Sequence, residues 1–293
     1  MPAGGKPTVR SRRLGAALKR LRLNALLDQE HAAEAVACST AKISRIESGA
    51  VSARVGDVRV LLDLYGVEDE AERKLMEKLA RDSNKRGWWL NFDAKQSVRE
   101  ILGDFLSLES DATYIRTWQP ILIPGLLQTP DYTRALTDAS PDVLDDEAAD
   151  LVIKVRQERR RVFEENGARF AAVIWEPALT GSMPTPAVHR EQLAHLIKMA
   201  KQPNMTIQVL PLSEWAAARV SPSFVGLSYA RETSPEVVIL DTVNNCVIME
   251  ERDAMTSYAH AFDTLRSAAL TPTKSVAFIR KIMDSITIGN EGT

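Results

Sequence analysis

Residues 28–48 constrain this 293-residue chain most: two short helical segments joined by a tight turn, each with its own start signal. Asp28 and Ser39 are good N-caps, because a short side-chain oxygen accepts N–H groups that a first helical turn leaves free. The first helix is expected to reach about Val36 and the second about Ser48, where Gly49 supplies a C-terminal stop. Apolar residues on either side keep the helical period. Leu14, Leu18 and Leu21 recur at i, i+4 and i+7, and Val58, Leu61, Leu62 and Tyr65 at i, i+3, i+4 and i+7, with Gly66 ending that segment. A fifth helix is expected from about Glu70 to Asp82. The pattern predicts an all-α five-helix domain over residues 11–82, behind a polar basic arm at 1–10 expected to be disordered.

Charge is also concentrated there. Residues 1–60 hold eleven Lys/Arg against five Asp/Glu, a net +6 in a chain of formal charge −2, which leaves −8 on the remaining 233 residues. A basic module joined to an acidic body points to a polyanionic partner for the first part. The whole-chain composition, 45% hydrophobic and 26% charged, excludes a disordered or collagenous chain. No apolar run approaches the ~20 residues of a bilayer span, and the polar start is not that of a secretory signal. Cys38 and Cys246 cannot build a disulfide framework or a four-thiolate zinc site, so a cytoplasmic chain with reduced thiols is expected.

After Asn84 the character changes. A Trp-containing linker is expected at 83–96, an α+β domain at 97–287 and a tail at 288–293. Helices are expected near 97–110, 131–139, 145–166 and 186–201, with two more closing the chain. Strand-like runs are Phe170–Trp175, Thr206–Leu210, Phe224–Tyr229, Val237–Leu240 and Cys246–Met249, the last two around an Asn244-Asn245 hairpin turn. Trp118–Gly125 reads as irregular.

In a helix-turn-helix, one helix braces on the DNA backbone and the next enters the major groove. The second segment here would expose Thr40, Ala41, Lys42, Ser44 and Arg45 and turn Ile43 and Ile46 inward. Arg can take both acceptors of guanine, Thr and Ala methyls can touch thymine, and Lys can meet phosphate. Those five are the candidate base readers. Gln29, Ser39, Arg54 and the basic Arg10, Arg12 and Arg13 are candidate phosphate contacts, Gln29 together with helix N-terminal amides.

Leu14 to Val67 resembles the Xre (Cro/C1-type) helix-turn-helix family. The resemblance rests on Leu27-Asp28-Gln29-Glu30, Lys42-Ile43-Ser44-Arg45-Ile46-Glu47 with Gly49, and Asp57-Val58-Arg59 with Leu61-Leu62 and Tyr65-Gly66-Val67. It implies an ion pair between Arg22 and Glu47 that ties the first helix to the recognition helix, and base reading at Thr40, Ala41 and Arg45. Leu26 and Ala37 depart from the pattern, since they stand at turns where relatives carry glycine. A non-glycine residue in the left-handed region costs about 1–2 kcal/mol, so turns of a different shape are expected. The loop after Gly49, Ala50-Val51-Ser52-Ala53, leaves only Arg54 where relatives are arginine-rich, and the arm at Lys6–Arg13 would have to supply the missing anchoring.

The remainder has a resemblance of its own. It is carried by Gly87-Trp88-Trp89, by Tyr114–Pro120 with Pro124–Thr129 and Tyr132, and by Arg156-Gln157-Glu158-Arg159, Glu176, Arg190–Leu193 and Asn204–Pro211. Over about 87–287 it is similar to the C-terminal domain of unknown function of actinobacterial Xre regulators, a layout shared by WhiJ-type developmental regulators and antitoxin-like relatives. The resemblance implies a regulator often encoded beside a small toxin-like protein partner. Trp88, Trp89, Tyr114, Arg116, Trp118 and Gln119 concentrate aromatics with a cation and an amide. They read as linker anchor and core, as a partner surface, or as a ligand pocket.

Catalytic constellations are lacking. His189 and His195 are six apart and do not share a helix face, His31 and Glu34 have no third ligand, and His260 lies on an amphipathic helix. No nucleophile elbow, P-loop or dinucleotide fingerprint is present. The expectation is therefore no enzyme, no cofactor and no metal, but a homodimeric, nucleoid-associated, sequence-specific regulator on double-stranded DNA. Its C-terminal domain would bind a small protein or an effector. An antitoxin-like protein that mainly sequesters its partner is one alternative, and an enzyme with an attached DNA-binding module is the other.

Overall fold

The computed structural model describes residues 9–83, 96–139, 146–181, 185–229, 235–241 and 246–286. The chain divides into two compact units, Met1–Asn91 and Phe92–Thr293. The disordered reading of residues 1–8, Trp88 and Trp89 in the linker, the Asn244-Asn245 turn and the tail at 288–293 fall outside the described residues.

The first unit is five helices: α1 (Val9–Asn24), α2 (Gln29–Ala35), α3 (Thr40–Glu47), α4 (Val55–Leu64) and α5 (Glu70–Asp82). Local chemistry sets most of their ends. Asp28 caps α2, Ser39 caps α3 and Asp69 caps α5, each accepting N–H groups of the first turn. Leu14, Leu18, Ile43, Ile46, Val58, Leu61, Leu62, Met76 and Leu79 fill one core. α1 lies so close over the end of α3 that a Cβ on Gly15 would sit 2.3 Å from the Ile46 carbonyl oxygen. The arm expected at 1–10 ends sooner, since α1 already includes Val9 and Arg10.

The turns at Leu26 and Ala37 are not reshaped. Leu26 has φ +58° and Ala37 has φ +50°, the left-handed conformation that glycine adopts at Gly66, φ +70°. All three close in the same way. Leu27 N donates to Arg22 O at 3.1 Å, Cys38 N to Ala33 O at 2.9 Å and Val67 N to Leu62 O at 3.0 Å, each beside a shorter-range bond from the preceding residue. Leu27 and Cys38 also pack against the core. These bonds and contacts outweigh the steric cost at Leu26 and Ala37.

The second unit is a mixed α/β domain. In chain order it contains α6 (Gln96–Asp111), β1 (Tyr114–Gln119), α7 (Pro130–Asp138), α8 (Asp146–Asn166), β2 (Arg169–Trp175), α9 (Glu176–Thr180), α10 (Pro186–Met199) and β3 (Met205–Leu210). Then follow α11 (Trp215–Ala218), β4 (Phe224–Ser228), β5 (Val237–Asp241), β6 (Cys246–Met249), α12 (Arg252–Ala268) and α13 (Pro272–Ser285). The six strands lie in the order β3-β2-β1-β4-β5-β6. β1, β2 and β3 are parallel with helical crossovers, whereas β4, β5 and β6 run antiparallel to their neighbours. One face packs Trp118, Val173, Phe224 and Val238 on Phe262 and Leu265 of α12. On α8, Phe163 meets Phe170 of β2 edge-on at 5.8 Å. The outer edge of β3 is occupied: Val209 N donates to Ser275 Oγ at 2.9 Å, and Leu270 N donates to Val209 O at 2.9 Å.

The stretch that reads as irregular from Trp118 onward begins inside β1, a central strand. Its sequence, Tyr-Ile-Arg-Thr-Trp-Gln, hides the strand because Arg116 is buried, and what allows that burial is remote: the Ser228 hydroxyl of β4, 2.7 Å from its Nη1.

Replacing Leu26 or Ala37 by glycine removes the left-handed penalty of about 1–2 kcal/mol, less the extra freedom glycine gives the unfolded chain. Each substitution is expected to stabilise the first unit by about 0.5–1 kcal/mol. Urea unfolding followed by helical circular dichroism measures this, and a loss of stability at both positions would contradict it.

Candidate nucleic-acid interface

α3 presents one polar face and one apolar face. Ile43 and Ile46 are buried, and Thr40, Ala41, Ser44 and Arg45 are exposed beside one another. Ser39 stands at the helix start, its Oγ accepting Lys42 N at 3.3 Å. Arg45 lies along its own helix, Nε donating to Ala41 O at 3.2 Å. Its position on the exposed face leaves it free to swing outward. Lys42 is different. Its Nζ lies 3.2 Å from Asp57 Oδ2 in the first turn of α4, half-buried, so it braces α3 against α4.

What fixes the angle of α3 is a buried ionic cluster. Arg22 Nε donates to Glu47 Oε1 at 2.6 Å and Nη2 to Oε2 at 3.0 Å, a bidentate pair. Arg22 Nη1 also reaches Leu27 O at 2.7 Å, in the turn between α1 and α2. Gln29 Nε2 donates to Glu47 Oε2 at 2.8 Å. Burial alone would raise the Glu47 pKa, but hydrogen bonds from Arg22 and Gln29 outweigh it and hold the carboxyl below its ordinary value. Tyr65, beside this cluster, is pushed up to about 12 by burial and then by the Glu47 charge.

The candidate phosphate contacts separate into two groups. Arg54 is exposed at the start of α4, Arg12 is exposed on α1, and Arg13 is half-buried there. Arg10 is not a surface cation: it is buried, with Nη1 3.4 Å from Asp82 O, and it joins the two ends of the unit. The N-terminal amides of α2 are partly taken. Asp28 Oδ1 accepts Glu30 N at 2.9 Å and His31 N at 3.0 Å, so a carboxylate already satisfies two of them. Gln29 spends one N–H of its amide on Glu47 and keeps the other N–H for an outside acceptor. No sequence signal marks the Gln29–Glu47 or Lys42–Asp57 bonds, because both join residues on different helices.

The aromatic set of the second unit does not form an open site in its described part. Trp118 is 0% exposed, with Nε1 donating to Ser221 O at 3.0 Å. Arg116 stacks over the Tyr114 ring at 3.9 Å, and Gln119 Nε2 donates to Thr117 Oγ1 at 3.1 Å. Trp118 and Arg116 are therefore core, because a central strand buries both of its faces. Among the described residues, no group of three or more His, Cys, Asp or Glu could hold a metal. Nor is any helix there long and apolar enough to cross a membrane.

Comparison with known proteins agrees with this geometry. Residues 13–76 match a helix-turn-helix domain, which makes the first unit a DNA-binding module of the kind used in transcription regulation. Residues 102–281 match a domain of unknown function (DUF5753), and the chain belongs to that family. No curated protein and no solved structure matches it.

Glu47→Ala leaves the buried Arg22 charge without its partner and is expected to cost about 3–5 kcal/mol. The pH dependence follows from the sign of the shift. A folded-state pKa below the unfolded value contributes stability that is present above the unfolded pKa, about 4.3 for Glu, and is lost as pH falls through the folded value. Acid titration of urea midpoints should show that loss in the original chain, and Glu47→Ala should remove that component.

Proposed function

We propose that this protein is a sequence-specific DNA-binding transcription regulator, with α3 as the major-groove reader. The observation that carries the reading is the exposed row Thr40, Ala41, Ser44 and Arg45 on a helix whose opposite face is locked by Ile43, Ile46 and the Arg22–Glu47 pair. A rigidly held donor face is what base readout requires. The net +6 of residues 1–60 supplies the sequence-independent attraction to phosphate. Arg12, Arg54 and Arg13 are the candidate backbone contacts, and Lys42 acts by bracing α3.

The second unit, in this reading, pairs two copies and takes a small protein partner. One recognition helix reads few base pairs, and two half-sites multiply the specificity. A partner is supported by large apolar side chains left in solvent beyond the carboxyl ends of β1 and β3: Ile121 is 77% exposed, Leu212 53% and Trp215 56%. The activity is regulatory and not catalytic. An antitoxin-like role, in which holding the partner is the main task, uses the same surface.

Arg45→Ala is expected to cost about 1–3 kcal/mol at the preferred site and to relax one base position. Binding selection from a random duplex library with both proteins tests this. An unchanged base preference removes Arg45 from the reader role. The partner reading has its own test, DNA affinity with and without a small protein that co-purifies with the intact chain. Coupling must be reciprocal, typically 5–150-fold in each direction, and a partner that binds without altering DNA affinity contradicts it.

A further inference from the structure

Three guanidiniums of α8, those of Arg156, Arg159 and Arg160, converge on the turn that follows β1. Arg159 has a carboxylate partner: Nε and Nη2 each donate to Glu109 at 2.7 Å. Gly125 leaves room for it, since a Cβ there would sit 3.3 Å from Arg159 Nη1. Arg156 and Arg160 are half-buried and have no such partner among the described residues. Arg156 Nη1 donates to Gln128 Oε1 and, at 3.3 Å, to Thr133 Oγ1. Arg160 donates through Nε to Leu126 O at 3.2 Å and through Nη2 to Gln128 O. Every one of these acceptors is a neutral oxygen. Asp241 and Glu164 act on them only across space. Burial, and then the Arg159 charge, pushes Arg156 down to about 10.

One more polar group near Arg160 lacks a hydrogen-bond partner. His195 Nε2 on α10 is buried without a hydrogen bond. The imidazole is pushed down to about 4, by burial first and then by the charges of Arg160 and Lys198. The surrounding turn is built firmly. Gln128 Nε2 donates to Ile123 O at 2.7 Å, and the fully buried Gln192 accepts Thr129 N at 2.8 Å and donates to Leu127 O at 2.8 Å.

Charged groups taken out of water are normally paired with an opposite charge. Here three guanidiniums meet one carboxylate, and the Nε and Nη2 of Arg156 make no bond among the described residues. We propose that Arg156 and Arg160 form an oxyanion-binding site in the C-terminal unit, which takes the phosphate or carboxylate group of a small anionic ligand. Planar guanidinium forks suit either group. The site stands on its own geometry, and only its influence on DNA binding would rest on the regulator reading.

The experiment uses the intact chain, titrated with inorganic phosphate and separately with citrate, while the His195 ring resonances are followed by NMR. Saturable binding of at least one anion is expected, with the His195 pKa rising by about one unit as the anion offsets the Arg160 charge. A response to phosphate alone or to citrate alone identifies the group recognised. Arg156→Gln and Arg160→Gln should each weaken binding about tenfold or more, and Arg156→Lys should weaken it less, because charge remains without the fork. The original chain alone can overturn the proposal: if neither anion shifts His195 saturably, the guanidiniums serve only to clamp the turn. Binding unchanged in folded Arg156→Gln and Arg160→Gln would overturn it equally.

Discussion

The bidentate pair between Arg22 and Glu47 is the contact on which the DNA-binding unit depends. A buried ion pair adds little net stability over an apolar substitute, because both charges lose their water. Its effect is on geometry. Arg22 needs acceptors for its donors, and they come from α3 and from the Leu27 carbonyl; Glu47 needs donors, and they come from α1 and α2. Any rotation of α3 would strand at least one of these groups in the core. The exposed row from Thr40 to Arg45 is thus held by requirements met on the opposite side of the helix. Lys42 and Asp57 add a second tie, to α4.

The turns at Leu26 and Ala37 fit this account. Each carries a side chain in a conformation that disfavours one, and each is closed by the hydrogen bonds that glycine turns use. The helix directions on either side of these turns are set by the shared core and the ionic cluster. The chain therefore accepts local strain where global packing dictates the path.

The first unit was legible in the sequence because its signals are local. Asp28, Ser39 and Gly49 act on backbone within a few residues, and Leu14, Leu18, Val58 and Leu61 repeat at helical spacing. What was not legible depends on partners far along the chain. β1 is hidden in the sequence because Arg116 and Gln119 disrupt an apolar run, and the Ser228 hydroxyl that receives Arg116 is 112 residues away. Arg10 looked like a surface cation because the carbonyl it meets, at Asp82, belongs to the far end of the unit. The bond from Gln29 to Glu47 is hidden for the same reason. Residue type and helix face can be read from spacing; the partner of a polar side chain requires the fold.

The closed edge of β3 has a consequence for assembly. Ser275 and Leu270 take up the backbone groups of Val209, so a visiting strand finds no ladder to extend on that side. Among the described strands, β6 ends the sheet on the other side. A sheet blocked at one end cannot polymerise by strand addition, because each added copy would need two free edges. Strand addition through the sheet therefore cannot string copies of this chain into a fibre.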